Sequence, residues 1–242
     1  MAEDEIIKKH VKTVYKAWRD PEKSWTDKFK DILLEILIIV FAVSVSIWLH
    51  NWSEDVKDRK AEREFLVGLK GDIKADLLEM KKDRKFLVMG LNGVNYFQRI
   101  GSGETLNNDS LSKYIVILFS QAQINPRISR FEALKGSGKL DIIDNKKLLY
   151  NITDLYQKDF PQIFRDNQYV NSLISGPINN YISDNLQLDA KGSPTNAQSV
   201  FRTSKMRILM MQAGGISGSV SAYSAGIDNA NNILKQIDEE LK

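Results

Sequence analysis

The feature that most constrains this chain is an apolar run of eighteen residues, Ile32 to Leu49, which contains one charged residue, Glu35. As an α-helix the run would be roughly 27 Å long, close to the thickness of the hydrocarbon core of a bilayer. Tryptophan rings favour the headgroup layer, and the run is flanked by Trp25, Trp48 and Trp52. We therefore predict a transmembrane anchor over 32–52, rather than a buried core helix, with these tryptophans at the membrane interfaces.

Glu35 has two interpretations as an intramembrane polar residue. It lies only about 4.5 Å inside the start of the run, so its carboxylate can reach the interface at a cost below that expected at the bilayer centre. This interpretation, a charge tolerated near the interface, is the favoured one. The alternative is a functional carboxylate that contacts a neighbouring span or handles protons.

The flanking sequences indicate a retained anchor but do not fix its orientation. Thirty-one residues precede the run and no cleavage site with small residues follows it, which is atypical of a signal peptide. Four basic residues lie within fifteen positions on each side, so the positive-inside rule gives no direction. They are Arg19, Lys23, Lys28 and Lys30 before the run, and Lys57, Arg59, Lys60 and Arg63 after it.

The N-terminal segment, 1–31, contains a second lipid-related pattern. Ile7, Val11, Val14 and Trp18 recur at helical spacing, which is typical of an amphipathic helix lying on a membrane surface. A loosely ordered tail fits the same residues, and the sequence leaves both interpretations open.

Residues 53–100 predict a charged stalk helix that continues from the anchor. Between Ser53 and Arg99, eleven basic and nine acidic residues are mixed, as on a solvated helix face. Arg84 occupies one position of an apolar seam, which disfavours a simple parallel coiled-coil dimer and favours packing within the same chain. The seam has three-four spacing and comprises Leu66, Leu69, Ile73, Leu77, Met80, Leu87, Leu91 and Val94.

Residues 101–242 predict a helical domain, with loops at 101–110 and 189–198. Helices are expected near 111–123, 131–134 and 145–156, the last capped by Asn145 or Asp144. Pro161 is expected to open another helix, interrupted near Gly176 and Pro177, and a final helical region begins near Val200. Because no alternating strand pattern occurs, the predicted fold class is all-α: one transmembrane helix, a stalk helix and a soluble helical bundle.

A stripe of small residues in the last region predicts close helix packing. Gly214, Gly218, Ala222 and Gly226 recur at every fourth position, which lets another backbone approach. Residues 208–227 also lack charge, so a second membrane span is an alternative. Their serines, glycines and Gln212 make that span too polar, and packing inside the helical domain is preferred.

The sequence shows no catalytic, cofactor-binding or metal-binding motif. Without cysteine there is no thiolate site, and the two histidines, His10 and His50, flank the apolar run. The segment 135–139, KGSGK, lacks the first glycine and the Ser or Thr of a phosphate loop, so its glycines are expected to end a helix. Glu132, Asp141 and Asp144 lack calcium-loop spacing. With 34 basic and 31 acidic residues, the net charge of +3 also argues against nucleic acid as a partner.

Two segments resemble an uncharacterised bacterial membrane-protein family, the domain of unknown function 6090. Its anchor has a Glu-Ile start, an Asn-Trp exit and a following Leu-x-x-Leu-x-x-Asp element, matched here by Glu35, Ile36, Asn51, Trp52, Leu66, Leu69 and Asp72. Its aromatic-x-x-Leu-Lys-x-x-Gly element is matched by Phe131, Leu134, Lys135, Gly138, Leu140, Ile143 and Asn145, and the ending ILKQIDEELK is similar. This chain departs in Ser44 and Ser46 of the span and in its longer N-terminus.

The resemblance implies a single-pass protein of a bacterial inner membrane, with a cytoplasmic N-terminus and a periplasmic helical part. It implies no activity. From the residues, the first functional hypothesis is a membrane-anchored interaction or scaffold protein that binds the bilayer and either itself or another membrane protein. The alternatives are a ligand-sensing helical domain, which the absence of an output module disfavours, and a pore assembled around Glu35.

Overall fold

A computed structural model of the chain describes residues 12, 15, 24–116 and 121–242. The described elements are helices, and these residues include no β-strand, only an isolated antiparallel bridge between Leu188 and Pro194. The predicted all-α fold class is therefore confirmed. The amphipathic helix expected over 5–18 lies outside the described residues, apart from Lys12 and Tyr15.

The longest element is α1, Trp25–Gly101, a continuous helix of 77 residues. It contributes to both of the compact units into which the chain divides, Met1–Ala61 and Glu62–Lys242. The second unit is called the helical unit below. The boundary differs from the predicted separation of a stalk, 53–100, from a domain, 101–242. Residues 62–101 pack against later helices of the same chain and belong to the helical unit.

The helical unit contains eight further α-helices in its described part, joined by short turns and by two π-helical segments. The α-helices are α2 Asn108–Ile115, α3 Ser129–Gly136, α4 Lys146–Asp154, α5 Phe160–Leu173, α6 Asn179–Asn185, α7 Ala197–Arg202, α8 Ser204–Ala213 and α9 Ile216–Glu240. A 3₁₀ turn spans Leu140–Ile142, and the π segments are Leu155–Asp159 and Ile174–Ile178.

Local sequence explains where several of these helices begin and end. The Asn145 side chain accepts hydrogen bonds from the backbone N–H groups of Lys147 and Leu148 at 3.1 and 3.0 Å, which confirms the predicted cap of α4. At the end of α3, Gly138 has φ +70°, and the N–H of Lys139 donates to the carbonyl of Leu134. This is a Schellman-type helix end, so the glycines of the KGSGK segment end a helix, as predicted.

The helix predicted over 111–123 is wrong at its C-terminal end. Helix α2 ends at Ile115, and residues 121–128 adopt no regular structure. Ala122 and Ile124 are buried while Gln121 and Gln123 are exposed, so burial alternates along this segment instead of following a helical period.

One hydrophobic core fills the helical unit. The seam of α1 is its centre: all eight apolar seam residues are buried or pack against the core within the same chain. Arg84, the polar seam residue, donates through Nε to Ser224 Oγ of α9 at 2.7 Å. Packing within the same chain, which the arginine predicted, is therefore confirmed.

Stacked ring pairs, Phe97 with Phe201 and Phe131 with Tyr156, join α1 to α7 and α3 to the first π segment.

Candidate functional site

The apolar segment 32–49 of α1 is exposed along its whole length. None of the eighteen residues in the most hydrophobic stretch of α1 is buried. Among the described helices, α1 is the one that is long and apolar enough to cross a membrane. The indole rings of Trp25, Trp48 and Trp52 are exposed on the same helix, and Glu35 is partly exposed. An exposed apolar surface of this extent marks an interaction with a membrane or with another protein.

The small-residue stripe is divided by the structure. Gly214 lies in the turn after α8, so the four positions do not share one helix, and 208–227 is not a continuous span. On α9, Gly226 is buried, and a Cβ there would lie 3.1 Å from Ile163 Cδ1 and 3.3 Å from Met80 Sδ. Ala222 is partly buried against the core. Gly218 is exposed, with nothing within 4 Å of a Cβ position. Close packing therefore occurs at Gly226 and not at Gly218.

The acidic residues of α1 pair with arginines that precede α3 or lie within it. Asp76 is fully buried, and its Oδ1 accepts from Arg127 Nη1 at 2.6 Å, while Oδ2 accepts from the Arg127 backbone N–H at 3.1 Å. Asp72 Oδ2 accepts from Arg130 Nε at 2.9 Å. The Arg130 guanidinium covers Gly68, where a Cβ would collide with it. These pairs hold the start of α3 and the residues before it against α1.

Electrostatics at Asp76 are dominated by burial. Desolvation raises the pKa of its carboxyl group above the ordinary value, although the hydrogen bonds from Arg127 act in the opposite direction. Asp76 in turn raises the pKa of the Arg127 guanidinium. Asp76 and Arg127 therefore form a buried ion pair that joins α1 to the residues preceding α3.

A second polar connection joins α1, α5 and α9. Asn167 Nδ2 donates to Tyr223 Oη at 2.7 Å, and Tyr223 Oη donates to Asp83 Oδ2 at 3.2 Å. Burial raises the pKa of both Tyr223 and Asp83. Asn167 Oδ1 and Ser219 Oγ are buried without a hydrogen-bond partner in the described part of the chain. This connection links three helices through side-chain hydrogen bonds inside the helical unit.

Sequence reasoning missed these pairs, although part of the signal was present. Asp76 falls beside the apolar seam, three residues after Ile73 and four before Met80, a spacing that places it towards the core. A carboxylate at such a position requires a partner. The identity of that partner, Arg127, could not be read from the sequence, because fifty-one positions separate the two residues.

Carboxamide side chains line a groove of about 270 Å³, called the amide groove below. The ring of Phe164 is exposed beside it. Asn171 Nδ2 donates to the carbonyl of Ala122 at 2.8 Å, which holds residues 121–128 against α5. The carboxamides are those of Gln121, Gln123, Asn167, Gln168 and Asn171.

The described residues contain no group of three His, Asp or Glu side chains that could hold a metal ion. His50 lies 3.4 Å from Glu54 one turn later on the exposed surface of α1. Comparisons of the chain with models of protein families, with curated proteins and with solved structures find no match. Function is therefore inferred from the residues and their geometry.

Proposed function

We propose that this protein is a membrane-anchored interaction protein, held in a bilayer by residues 32–52 and acting through its helical unit. The observation that carries the proposal is the absence of any buried residue in the apolar segment. In water such a helix would leave eighteen mostly aliphatic and aromatic side chains hydrated, whereas a bilayer removes them from water and satisfies the backbone inside the helix.

The chain is proposed to cross a bacterial inner membrane once, with a cytoplasmic N-terminus and a periplasmic helical unit. The tryptophans at both ends of the apolar segment support a spanning orientation. The direction comes from the resemblance to the domain of unknown function 6090, since the flanking basic residues are balanced.

Cysteine labelling tests this topology directly, because the natural chain contains no cysteine. Ser24→Cys and Ser137→Cys introduce single thiols at exposed positions before and after the apolar segment. In intact spheroplasts a membrane-impermeant maleimide should label the thiol at 137, and should label the thiol at 24 only after permeabilisation. The reverse pattern would show the opposite orientation, and labelling of both in intact spheroplasts would exclude a spanning anchor.

The interaction role is tested by purification of the full-length protein from its native membrane in mild detergent. We expect a defined assembly, either with itself or with a second membrane protein, whose mass corresponds to a fixed number of copies of each protein. A protein that stays monomeric at the lowest detergent concentration that keeps it soluble would refute the interaction role while leaving the anchor intact.

The amide groove supports a second candidate function, binding of a small ligand. Carboxamides both donate and accept hydrogen bonds, and the exposed ring of Phe164 offers an apolar face, so a fitting ligand is neutral and carries hydroxyl or amide groups. Neutral sugars and short peptides should raise the melting temperature of the full-length protein. The rise should disappear in Gln123→Ala/Gln168→Ala and persist in Gln212→Ala, an exposed control. If no compound of the panel shifts the melting temperature, this candidate is excluded.

A further inference from the structure

The charges of α1 within the helical unit are divided between two opposite faces. Between 62 and 101 the helix has six acidic residues, and five of them accept hydrogen bonds from later segments of the same chain. The sixth, Glu64, is exposed. The five pairs are Glu62 with the Asp144 N–H, Asp72 with Arg130, Asp76 with Arg127, Glu79 with the Asn125 N–H, and Asp83 with Tyr223.

The opposite side of the same helix is basic and apolar. At 3.6 residues per turn, Lys74, Lys81 and Lys85 fall within about 40° of one line along the helix, together with Val67, Leu78 and Met89. All six side chains are exposed. These six residues are called the basic face below.

The described part of the chain leaves the basic face uncovered. Leu78 is 71% exposed, the highest value among the large hydrophobic residues that the structure describes in the helical unit, and Val67 is 54% exposed. Gly71 lies on the same line, and a Cβ there would have nothing within 4 Å. Leu78 therefore sits as an apolar anchor with a lysine about one turn away on each side, Lys74 and Lys81.

We propose that the basic face is a docking surface for an acidic amphipathic helix of another protein. The three-four spacing of these residues is that of a helix-packing seam, so a partner helix can lie along it with apolar residues against Val67, Leu78 and Met89. Glu or Asp residues flanking that apolar stripe would pair with the lysines. The proposal rests on the interaction role proposed above and specifies the partner class.

Charge disfavours a symmetric pairing of the basic face with the basic face of a second copy of this chain. In a symmetric pairing the basic face of one copy would lie against the basic face of the other, and lysines at seam positions would be apposed. Like charges on neighbouring helices are destabilising, and no acidic residue lies among the six. Five of the six acids of this helix in the helical unit are engaged on the opposite side, and the sixth, Glu64, lies about 60° away from the centre of the basic face. An acidic partner supplies the missing charge.

Site-specific crosslinking of the full-length protein in its native membrane tests the proposal. Leu78→Cys introduces the only thiol of the chain, and a maleimide benzophenone attached there is activated by light. We expect an adduct with one protein, whose crosslinked peptide is an amphipathic helix with Glu or Asp beside its apolar stripe. Reversing charge with Lys74→Glu/Lys81→Glu/Lys85→Glu should reduce the adduct at least tenfold, and reversing the partner's acids to lysine should restore it.

A matched control carries the same change in net charge away from the basic face. Lys139, Lys147 and Lys191 are exposed in turns or at a helix start, and replacement of all three by Glu should leave the adduct unchanged. Equal loss of the adduct in both triple variants would overturn the proposal, as would an adduct only with lipid, only with a second copy, or with no molecule.

The outcomes separate this proposal from the proposed function. If the protein stays in the membrane and in its assembly while the basic-face variant behaves like the control, only the docking surface is refuted. If no assembly forms with the unsubstituted chain, the interaction role itself fails.

Discussion

Asp76 shows how the helical unit holds a buried charge. Its carboxyl group has a pKa raised from the ordinary value of 3.8 because desolvation outweighs the hydrogen bonds from Arg127. In the unfolded chain the carboxyl group returns to its ordinary pKa. At pH values between the two, the folded state therefore binds more protons than the unfolded state, and ionisation of Asp76 opposes folding.

The first prediction follows from this sign. The contribution of Asp76 to stability is greatest below pH 3.8 and is lost as the pH rises through the raised pKa. As the pH rises from 3.8 through the raised pKa, the unsubstituted protein should therefore lose unfolding free energy relative to Asp76→Asn, which has no carboxyl group to ionise. Chemical denaturation of the detergent-solubilised protein at several pH values measures it. Glu132→Gln, which likewise replaces an acid by its amide at an exposed position of α3, is measured alongside as the control.

The second prediction concerns two glycines on the same helix, Gly218 and Gly226. Gly218→Ala should stabilise the protein by up to about 1 kcal/mol, because alanine has the higher helix propensity and its Cβ meets open space. Gly226→Ala should gain less or lose stability, since its Cβ would press against Ile163 and Met80. Thermal unfolding of both variants checks the ordering. An equal gain at both positions would show that α9 does not pack closely at Gly226.

At the scale of single elements, α1 has two chemically different sides within the helical unit. Its inward side carries the apolar seam and the acids that pair with Arg127 and Arg130, and its outward side carries the basic face. Arg127 and Arg130, which pair with these acids, lie just before α3 and within it. The turn at Gly138 and the cap of α4 follow. The ion pairs therefore fix the start of α3 against α1.

The third prediction tests that cap. Asn145 accepts two backbone hydrogen bonds at the start of α4 and donates through Nδ2 to Glu240 Oε1 at 2.6 Å. Asn145→Ala should lower the unfolding free energy by about 1 kcal/mol, because two N–H groups lose their acceptor. Asn145→Ser keeps a capping oxygen but cannot reach Glu240 in the same way, so it should retain most of the stability. If serine and alanine prove equally destabilising, the bond to Glu240 rather than the cap is responsible.

At the scale of the whole molecule, the anchor and the helical unit obey different physical rules. The helical unit gains stability by burying its apolar residues against one another, whereas the apolar segment 32–49 buries none of its own. Substitutions in the two units should therefore affect different properties, membrane integration in one and cooperative unfolding in the other.

The fourth prediction uses two isoleucines of similar exposure, Ile38 at 42% and Ile128 at 45%. Ile38→Arg places a charge in the proposed span at a cost of up to about 3 kcal/mol and should reduce the fraction of protein that resists alkaline extraction from membranes. Ile128→Arg adds the same charge outside the span and should leave that fraction unchanged. Equal extraction of both variants would argue against a spanning helix at 32–52.

Several features could be predicted from sequence because local physics determines them. The apolar run, the seam of α1, the Asn145 cap and the glycine turn at 136–138 each depend on residues within a few helical turns of one another. Others could not. The irregular path of residues 121–128 involves contacts with distant residues: Ala122 and Ile124 are buried, and Asn171 donates to the carbonyl of Ala122.

The sequence by itself determined that the chain is helical and that one segment is apolar enough to cross a membrane, and the arginine in the seam of α1 favoured packing within the same chain. Tertiary structure decided which stripe glycine packs closely, which arginine neutralises Asp76 and which side of α1 is left basic and exposed. The physical reason is sequence distance. Helix periodicity and capping act over three or four residues. Ion pairs such as Asp76 with Arg127, and hydrogen bonds such as Arg84 with Ser224, join residues that only the complete fold brings together.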